Sequence, residues 1–199
     1  MNEEECKINL WKTLNSNSVY DNNWICVSHE DVLNPNGNNG IYGVVHYKHI
    51  AMGIIPLDEN NNTWIVGQYR YPLKQYSWEI PEGGGKLGID PLESAKQELL
   101  EECGLVASEW NEILQMHLSN SVSDELAIVY VAKGLSHQKP QPEDTELLCL
   151  KKLPFNELFN MVMNGEITDS MKCCSCFKIK AFNAIKNKKL YVWQNKNKE

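Results

Sequence analysis

Up to residue 80 the apolar residues come in short runs divided by polar, turn-forming clusters, the spacing of strands rather than helices. Residues 19–29 hold two such runs joined at Asp21, Asn22 and Asn23, and Asn34, Pro35, Asn36 and Gly37 make the next turn. Residues 41–47 and 50–55 follow as strands, 58–62 as a turn and 64–71 as a strand. A short strand over 77–80 runs into Pro81 and a glycine-rich loop at Gly83, Gly84 and Gly85. The period then changes. Leu92, Ala95, Leu99 and Cys103 recur at three- and four-residue spacing, which is one face of a helix. Asp90 offers its N-cap, Pro91 its first position and Glu93 the capping-box carboxylate, while Gly104 supplies the stop. Beyond it, 127–132 and 147–150 read as strands, 155–164 as a helix ending near Gly165, and 170–186 as a last helix. Many short strands with one central helix and two late ones predict an α/β or α+β sandwich, not a doubly wound sheet.

Composition narrows the classes. At 199 residues, 42% hydrophobic and 23% charged, the chain suits one well-formed domain with a small appended layer. Residues 1–40 divide off as N-terminal strands, 41–190 as the main domain and 191–199 as a C-terminal tail. The longest apolar runs, such as 126–132, are strand length and far short of the ~18 residues that span a bilayer, so no membrane partner is expected. No basic segment followed by an apolar stretch opens the chain, so no secretory leader is expected. With seven cysteines, an odd number, this predicts reduced thiols and a cytoplasmic protein. A net charge of −7 excludes a general nucleic-acid binder, and the Lys-rich residues 178–198 read as a solvated helix face and tail. An acidic chain that handles an anion must recruit positive charge, and a metal ion is the simplest source.

The candidate chemistry lies at the end of the central helix. Glu98, Glu101 and Glu102 crowd its C-terminus, where carboxylates face the negative end of the macrodipole, and Glu98 with Glu102 is a like-charge i,i+4 pair. A divalent cation would reverse the sign of both effects. Glu98 and Glu102 sit one turn apart and can share a hard, oxygen-seeking ion such as Mg²⁺, whereas Glu101 projects about 100° from Glu102. All three are expected off the apolar stripe, facing a cleft or solvent. The bland alternative is an acidic helix face, but Lys96 is the nearby cation that could lace it. Other groupings are weaker: Cys173, Cys174 and Cys176 read as buried or free thiols rather than zinc ligands, and His46 and His49 as ordinary hydrogen-bonded histidines. Ser94 and the serines from Ser119 to Ser123 have no paired His and Asp, so a serine nucleophile has little support.

The segment from Pro81 to Leu105 resembles the Nudix box, G-x5-E-x7-R-E-U-x-E-E-x-G-U with U aliphatic. Gly83, Glu98, Leu99, Glu101, Glu102, Gly104 and Leu105 fill its positions with the spacing intact. Two positions depart: Ile89 stands where the family has Glu, and Gln97 where it has Arg. Flanking segments at 68–71, 78–81 and 165–169 are similar to the ADP-ribose pyrophosphatase branch. The resemblance implies an α/β/α sandwich with a mixed sheet plus an N-terminal antiparallel sheet that makes a homodimer. It implies Mg²⁺ (or Mn²⁺) held by Glu98 and Glu102 with a backbone carbonyl near Glu82 or Gly83, and Glu101 binding or polarising a further ion. The implied reaction is hydrolysis of a nucleoside diphosphate sugar, ADP-ribose first, to a nucleoside monophosphate and a sugar phosphate. Glu143 is the expected general base, with Glu146 or Glu125 as alternatives; Arg70 is expected at a phosphate, or else in an ion pair, and Glu79 near the substrate or behind it. Gln97 and Ile89 imply weakened catalysis or another diphosphate, such as GDP-mannose or a dinucleoside polyphosphate. A rival of a different class is a catalytically poor, nucleotide-binding sensor.

Overall fold

The computed structural model describes residues 7–139 and 147–196, with 185–196 as backbone alone. The chain divides into two compact units: Met1–His49 with His117–Glu125, and Ile50–Met116 with Leu126–Glu199.

The first unit is an antiparallel sheet in the order β1-β2-β3: β1 Lys12–Asp21, β2 Ile25–Leu33 and β3 Asn39–Tyr47. Two Asn side chains build its turns. Asn22 Oδ1 accepts the N–H groups of Trp24 and Ile25, both at 2.8 Å, and Asn34 Oδ1 those of Asn36 and Asn38, both at 3.0 Å. β1 begins earlier than its apolar residues indicate, because polar side chains hold it to β2. Thr13 and Ser16 reach Glu30, and Asn15 reaches Asp31. The 117–125 segment lies along β3, with Val45 N–H bonded to Val122 O at 2.8 Å and Tyr42 Oη to Ser121 O at 2.8 Å.

Among the described residues the second unit contains two sheets and three helices. One sheet has the order β7-β4-β9-β8, with β4 His49–Pro56, β7 Glu82–Lys86, β8 Leu105–His117 and β9 Leu126–His137. Its central pair, β4 and β9, is parallel from Ala51↔Ala127 to Pro56↔Ala132 and buried, which is why both read as unbroken apolar runs. The other sheet is antiparallel, β10-β5-β6, with β5 Asn62–Arg70, β6 Gln75–Glu79 and β10 Cys149–Pro154. The helices are α1 Pro91–Cys103, α2 Phe155–Met163 and α3 Ser170–Lys196. Ala95, Leu99 and Cys103 of α1 enter one core with Met52 and Ile54 of β4, Trp64 and Val66 of β5, Leu105 of β8, and Ile128 and Tyr130 of β9. This is the mixed α+β class the element pattern predicts.

In the second unit three strands differ from expectation. The glycine-rich stretch is strand β7 rather than a loop, paired along the edge of β4. Strand β8 went unpredicted, since Ser108, Glu109, Asn111 and Glu112 break its apolar pattern. Strand β10 begins at Cys149 rather than 147.

Candidate active site

Local signals fix the register of α1. Asp90 Oδ1 accepts Leu92 N–H at 3.0 Å, and Gly104, in the left-handed region at φ 62°, returns its N–H to Leu100 O and Leu99 O. These two stops place Glu98 and Glu102 one turn apart beside β7. Glu102 Oε2 accepts the peptide N–H of Glu82 at 2.9 Å. Glu98 packs on the next residue: a Cβ at Gly83 would fall 2.1 Å from Glu98 Cδ, so no residue with a side chain fits there unless Glu98 moves. The backbone of Glu82 and Gly83 is thus the seat of both carboxylates. Glu102 corrects one expectation, for it is buried, at 6% exposure, rather than open to cleft or solvent. The bond to Glu82 compensates a burial that apolar spacing alone does not foresee.

Glu101 accepts a hydrogen bond from Gln97 Nε2 at 2.8 Å, one turn back. Lys96 pairs with Glu93 at 2.7 Å. Positive charge reaches β7 from other elements. Arg70, at the end of β5, directs Nε at both oxygens of Glu79, at 2.9 and 3.1 Å, and its NH2 also bonds Glu79 and reaches Glu82 Oε1. Lys172 of α3 is completely buried, with Nζ 3.6 Å from Glu82 Oε2, 3.6 Å from Asp169 Oδ1 and 3.9 Å from Glu79 Oε2. Burial pushes the Glu82 carboxyl upward, against the opposing pull of Lys172 and Arg70. At Glu79 burial pushes the same way, but the Arg70 hydrogen bonds and the charges of Lys172 and Arg70 win and hold it below the usual range. The Arg70 guanidinium, despite burial, is raised further by these carboxylates.

The structure therefore brings together Glu79, Glu98, Glu102, Arg70 and Gly83 on α1, β5, β6 and β7, while the contact given for Glu101 is with Gln97 on its own helix. Glu143 and Glu146 lie outside the described residues, and Glu125 belongs to the first unit, hydrogen-bonded to Tyr47. Sequence reasoning missed the Glu82 side chain, Asp169 and Lys172. The available signal was a lysine at position 172, among Met171, Ser175 and Cys176, all of which are buried.

Among the described residues no three His, Cys, Asp or Glu side chains stand gathered as a ready metal cage. The donor set nevertheless fits a small hard dication. Mg²⁺ retains several waters and is bound through one or two carboxylates plus substrate phosphates, and Glu98 and Glu102, both seated on the backbone of Glu82 and Gly83, supply that much.

Other groupings carry no chemistry of this kind. Ser28, His46 and Asp124 line up in the first unit, with Ser28 Oγ 3.3 Å from His46 Nε2 and His46 Nδ1 2.7 Å from Asp124 Oδ2. Ser28 is buried and also donates to Glu30, so the chain ties strands together and presents no nucleophile. The six described cysteines are free, and burial pushes the Cys176 thiol up to about 12. Among the described residues no helix is long and apolar enough to cross a membrane.

Comparison with known proteins adds two family matches. The NUDIX domain profile matches residues 47–170, and that of the nucleoside diphosphate sugar hydrolase N-terminal domain matches residues 11–45. An ADP-ribose pyrophosphatase of Mycobacterium tuberculosis is 30% identical over 164 residues, which is 81% of this chain and 79% of that protein. A methanol dehydrogenase activator of Bacillus methanolicus is 28% identical over 179 residues, 89% of this chain and 96% of its own. Among solved structures, an ADP compounds hydrolase superposes with a TM-score of 0.79, covering 88% of this chain and 95% of its own. At 18% identity that likeness speaks to the fold.

Proposed function

The chain belongs to the Nudix family of pyrophosphohydrolases, and from that membership we propose that it hydrolyses the diphosphate of a nucleoside diphosphate sugar, ADP-ribose first among them. The observation that carries this reading is the shared seat of Glu98 and Glu102 on the backbone of Glu82 and Gly83. The family generally uses divalent cations. Here Mg²⁺, or Mn²⁺ in its place, would be held by Glu98 and Glu102 with the backbone carbonyl of Gly83 or Glu82, and Glu101 lies one turn away for a further ion. Bound there, the cation would polarise the diphosphate and neutralise charge on the leaving phosphate.

Charge explains the need for it. Among the described residues Glu79, Glu82 and Asp169 face Arg70 and Lys172, and Glu98, Glu101 and Glu102 add three more acidic groups on α1, so the site is acidic and a bare diphosphate is repelled. The protein's own part is to hold acceptor oxygens rigid: the Glu82 N–H orients Glu102, the Gly83 Cα confines Glu98 and Gln97 steadies Glu101. Arg70, oriented by Glu79 and 35% exposed, is proposed to meet a substrate phosphate with the part of its guanidinium open to solvent. Water adds its oxygen to one phosphorus as the bridging P–O bond breaks, giving a nucleoside monophosphate and a sugar phosphate.

Gln97 and Ile89 support slower turnover than the full box would give. The exposed apolar residues of the N-terminal sheet support a homodimer, and six free cysteines support a reducing, cytoplasmic setting. The test is turnover of ADP-ribose with Mg²⁺ beside Glu102→Gln. Activity lost in the variant supports the reading. No turnover of ADP-ribose, with turnover of GDP-mannose or a dinucleoside polyphosphate, moves it to another diphosphate. Silence across that panel with tight binding makes the protein a sensor.

A further inference from the structure

Lys172 is the largest completely buried side chain among the described residues. Its ammonium donates no hydrogen bond, and neither does the nearby Glu82 Oε2 accept one, although 3.6 Å separates them. A buried ion pair of this looseness is a poor source of stability, and a well-packed apolar residue of similar volume commonly serves a core as well or better. Its value lies in what it holds. The Glu82 carboxylate is fixed from two sides, by Arg70 at Oε1 and by Lys172 facing Oε2. The peptide N–H of the same residue orients Glu102, and the following residue confines Glu98. Asp169 places the ammonium, since its Oδ1 accepts the Lys172 peptide N–H at 3.1 Å at the start of α3. Helix α1 brings no cation of its own to these groups, with Gln97 neutral and Lys96 paired to Glu93.

We propose that Lys172 is a positioning residue: its buried ammonium fixes the Glu82 side chain and, through the backbone of Glu82 and Gly83, aligns Glu98 and Glu102 on a divalent cation. This rests on the reading of Glu98 and Glu102 as that cation's ligands. It assigns to α3, about seventy residues beyond α1, a part in metal binding that reaches the ion through another residue.

The experiment titrates the full chain with Mn²⁺ in the absence of substrate, reading free Mn²⁺ by electron paramagnetic resonance, with folding followed by circular dichroism. Glu102→Gln and Lys172→Met each weaken binding by roughly 10–100-fold, as loss of a ligand or of its support does. The double variant Glu82→Gln/Lys172→Met recovers to within about threefold of wild type, because the amide needs no counter-charge and the peptide N–H to Glu102 remains. A merely structural lysine would lower the melting temperature and leave the Mn²⁺ affinity of the folded protein unchanged. Wild-type affinity in Lys172→Met, with binding lost in Glu102→Gln, overturns the positioning role and spares the ligand assignment. Wild-type affinity in Glu102→Gln overturns that assignment and this proposal with it. Should Lys172→Met fail to fold, Lys172→Gln takes its place, keeping a polar group without the charge: folded with affinity weakened about tenfold or more upholds the role, folded with wild-type affinity overturns it.

Discussion

The Cα of Gly83 lies so close to the carboxyl group of Glu98 that a Cβ on residue 83 would fall 2.1 Å from Glu98 Cδ. Gly83→Ala must therefore push Glu98 off its position, and a misplacement near 1 Å at a reacting centre costs about 100-fold in rate. The expected result is a loss of kcat of about that size with the fold intact. Gly43→Ala serves as the control, since that glycine has open space around it and no positive φ. Steady-state kinetics on both variants, with melting curves alongside, checks the prediction.

Arg70 and Glu79 form a two-pronged pair in which the carboxylate is nearly enclosed, at 4% exposure. Removing the guanidinium with Arg70→Met leaves that charge without its main partner. The cost is about 2–3 kcal/mol, below the usual range for buried pairs because Arg70 is itself 35% exposed. The melting temperature falls by roughly 5–10 °C in a chain of this size. Arg70→Lys keeps a charge but loses the planar fork, so it recovers part of the stability. A raised KM for substrate in Arg70→Lys marks phosphate contact; an unchanged KM leaves Arg70 as an ion pair.

Helix α1 was legible because everything that defines it is local: the Asp90 cap, the Gly104 stop and the apolar stripe lie within fifteen residues. The glutamate cluster was legible for the same reason. Strand β7 was not, since three glycines carry no pattern and the strand exists through its pairing with β4, some thirty residues away. The burial of Glu102 depends on the N–H of Glu82 in that strand and was hidden with it. Lys172 meets Glu82 across ninety residues of sequence, a separation at which no periodicity signals contact.

Asp58 governs acid stability at the turn between β4 and β5. Its carboxylate takes the Lys152 ammonium at 2.8 Å, the N–H groups of Asn60 and Asn62 at 2.9 and 2.8 Å, and the Asn62 side chain at 3.0 Å. The Lys152 contact, opposed by burial and aided by the Asn62 and Asn60 bonds, holds its pKa well below 3.8. The folded protein therefore binds a proton here less readily than the unfolded chain. That stability is present in full above about pH 4 and lost as pH falls further, towards the depressed value. Asp58→Asn removes this acid-side loss and lowers stability at pH 7 by about 1 kcal/mol. Urea denaturation at pH 7 and pH 3 measures both effects, and an unchanged pH 7 minus pH 3 difference would exclude Asp58 as the source.

Strand β1 is an edge strand of 10 residues, exposed along its whole length, and it presents Leu14, Val19 and Tyr20 to solvent. Such an edge pairs with another chain unless something covers or charges it. The expected assembly is a homodimer by light scattering, converted to monomer by Leu14→Asp with Val19→Asp. A wild-type monomer at micromolar concentration would remove the N-terminal sheet from consideration as an interface.

Ile89 and Gln97, the two departures from the family pattern, line the same cleft of about 480 Å³ beside α1, together with Leu100 and Trp110. Gln97 holds Glu101 at 2.8 Å by a neutral donor, whereas a guanidinium would bond it with charge assistance and need a carboxylate of its own. Ile89 is half exposed, so glutamate fits there without disturbing the core. Because both positions open on one cleft, the groups introduced by Gln97→Arg and Ile89→Glu can meet. A charged hydrogen bond exceeds a neutral one by about 1 kcal/mol, which corresponds to roughly a 5-fold rise in turnover for the double variant. Gln97→Arg alone gains less, since its guanidinium lacks the partner. Kinetics of wild type, both single variants and the double variant on ADP-ribose give the coupling directly. Equal turnover throughout would mean that the natural residues at 89 and 97 do not weaken this reaction, and would direct attention to a different diphosphate as their reason.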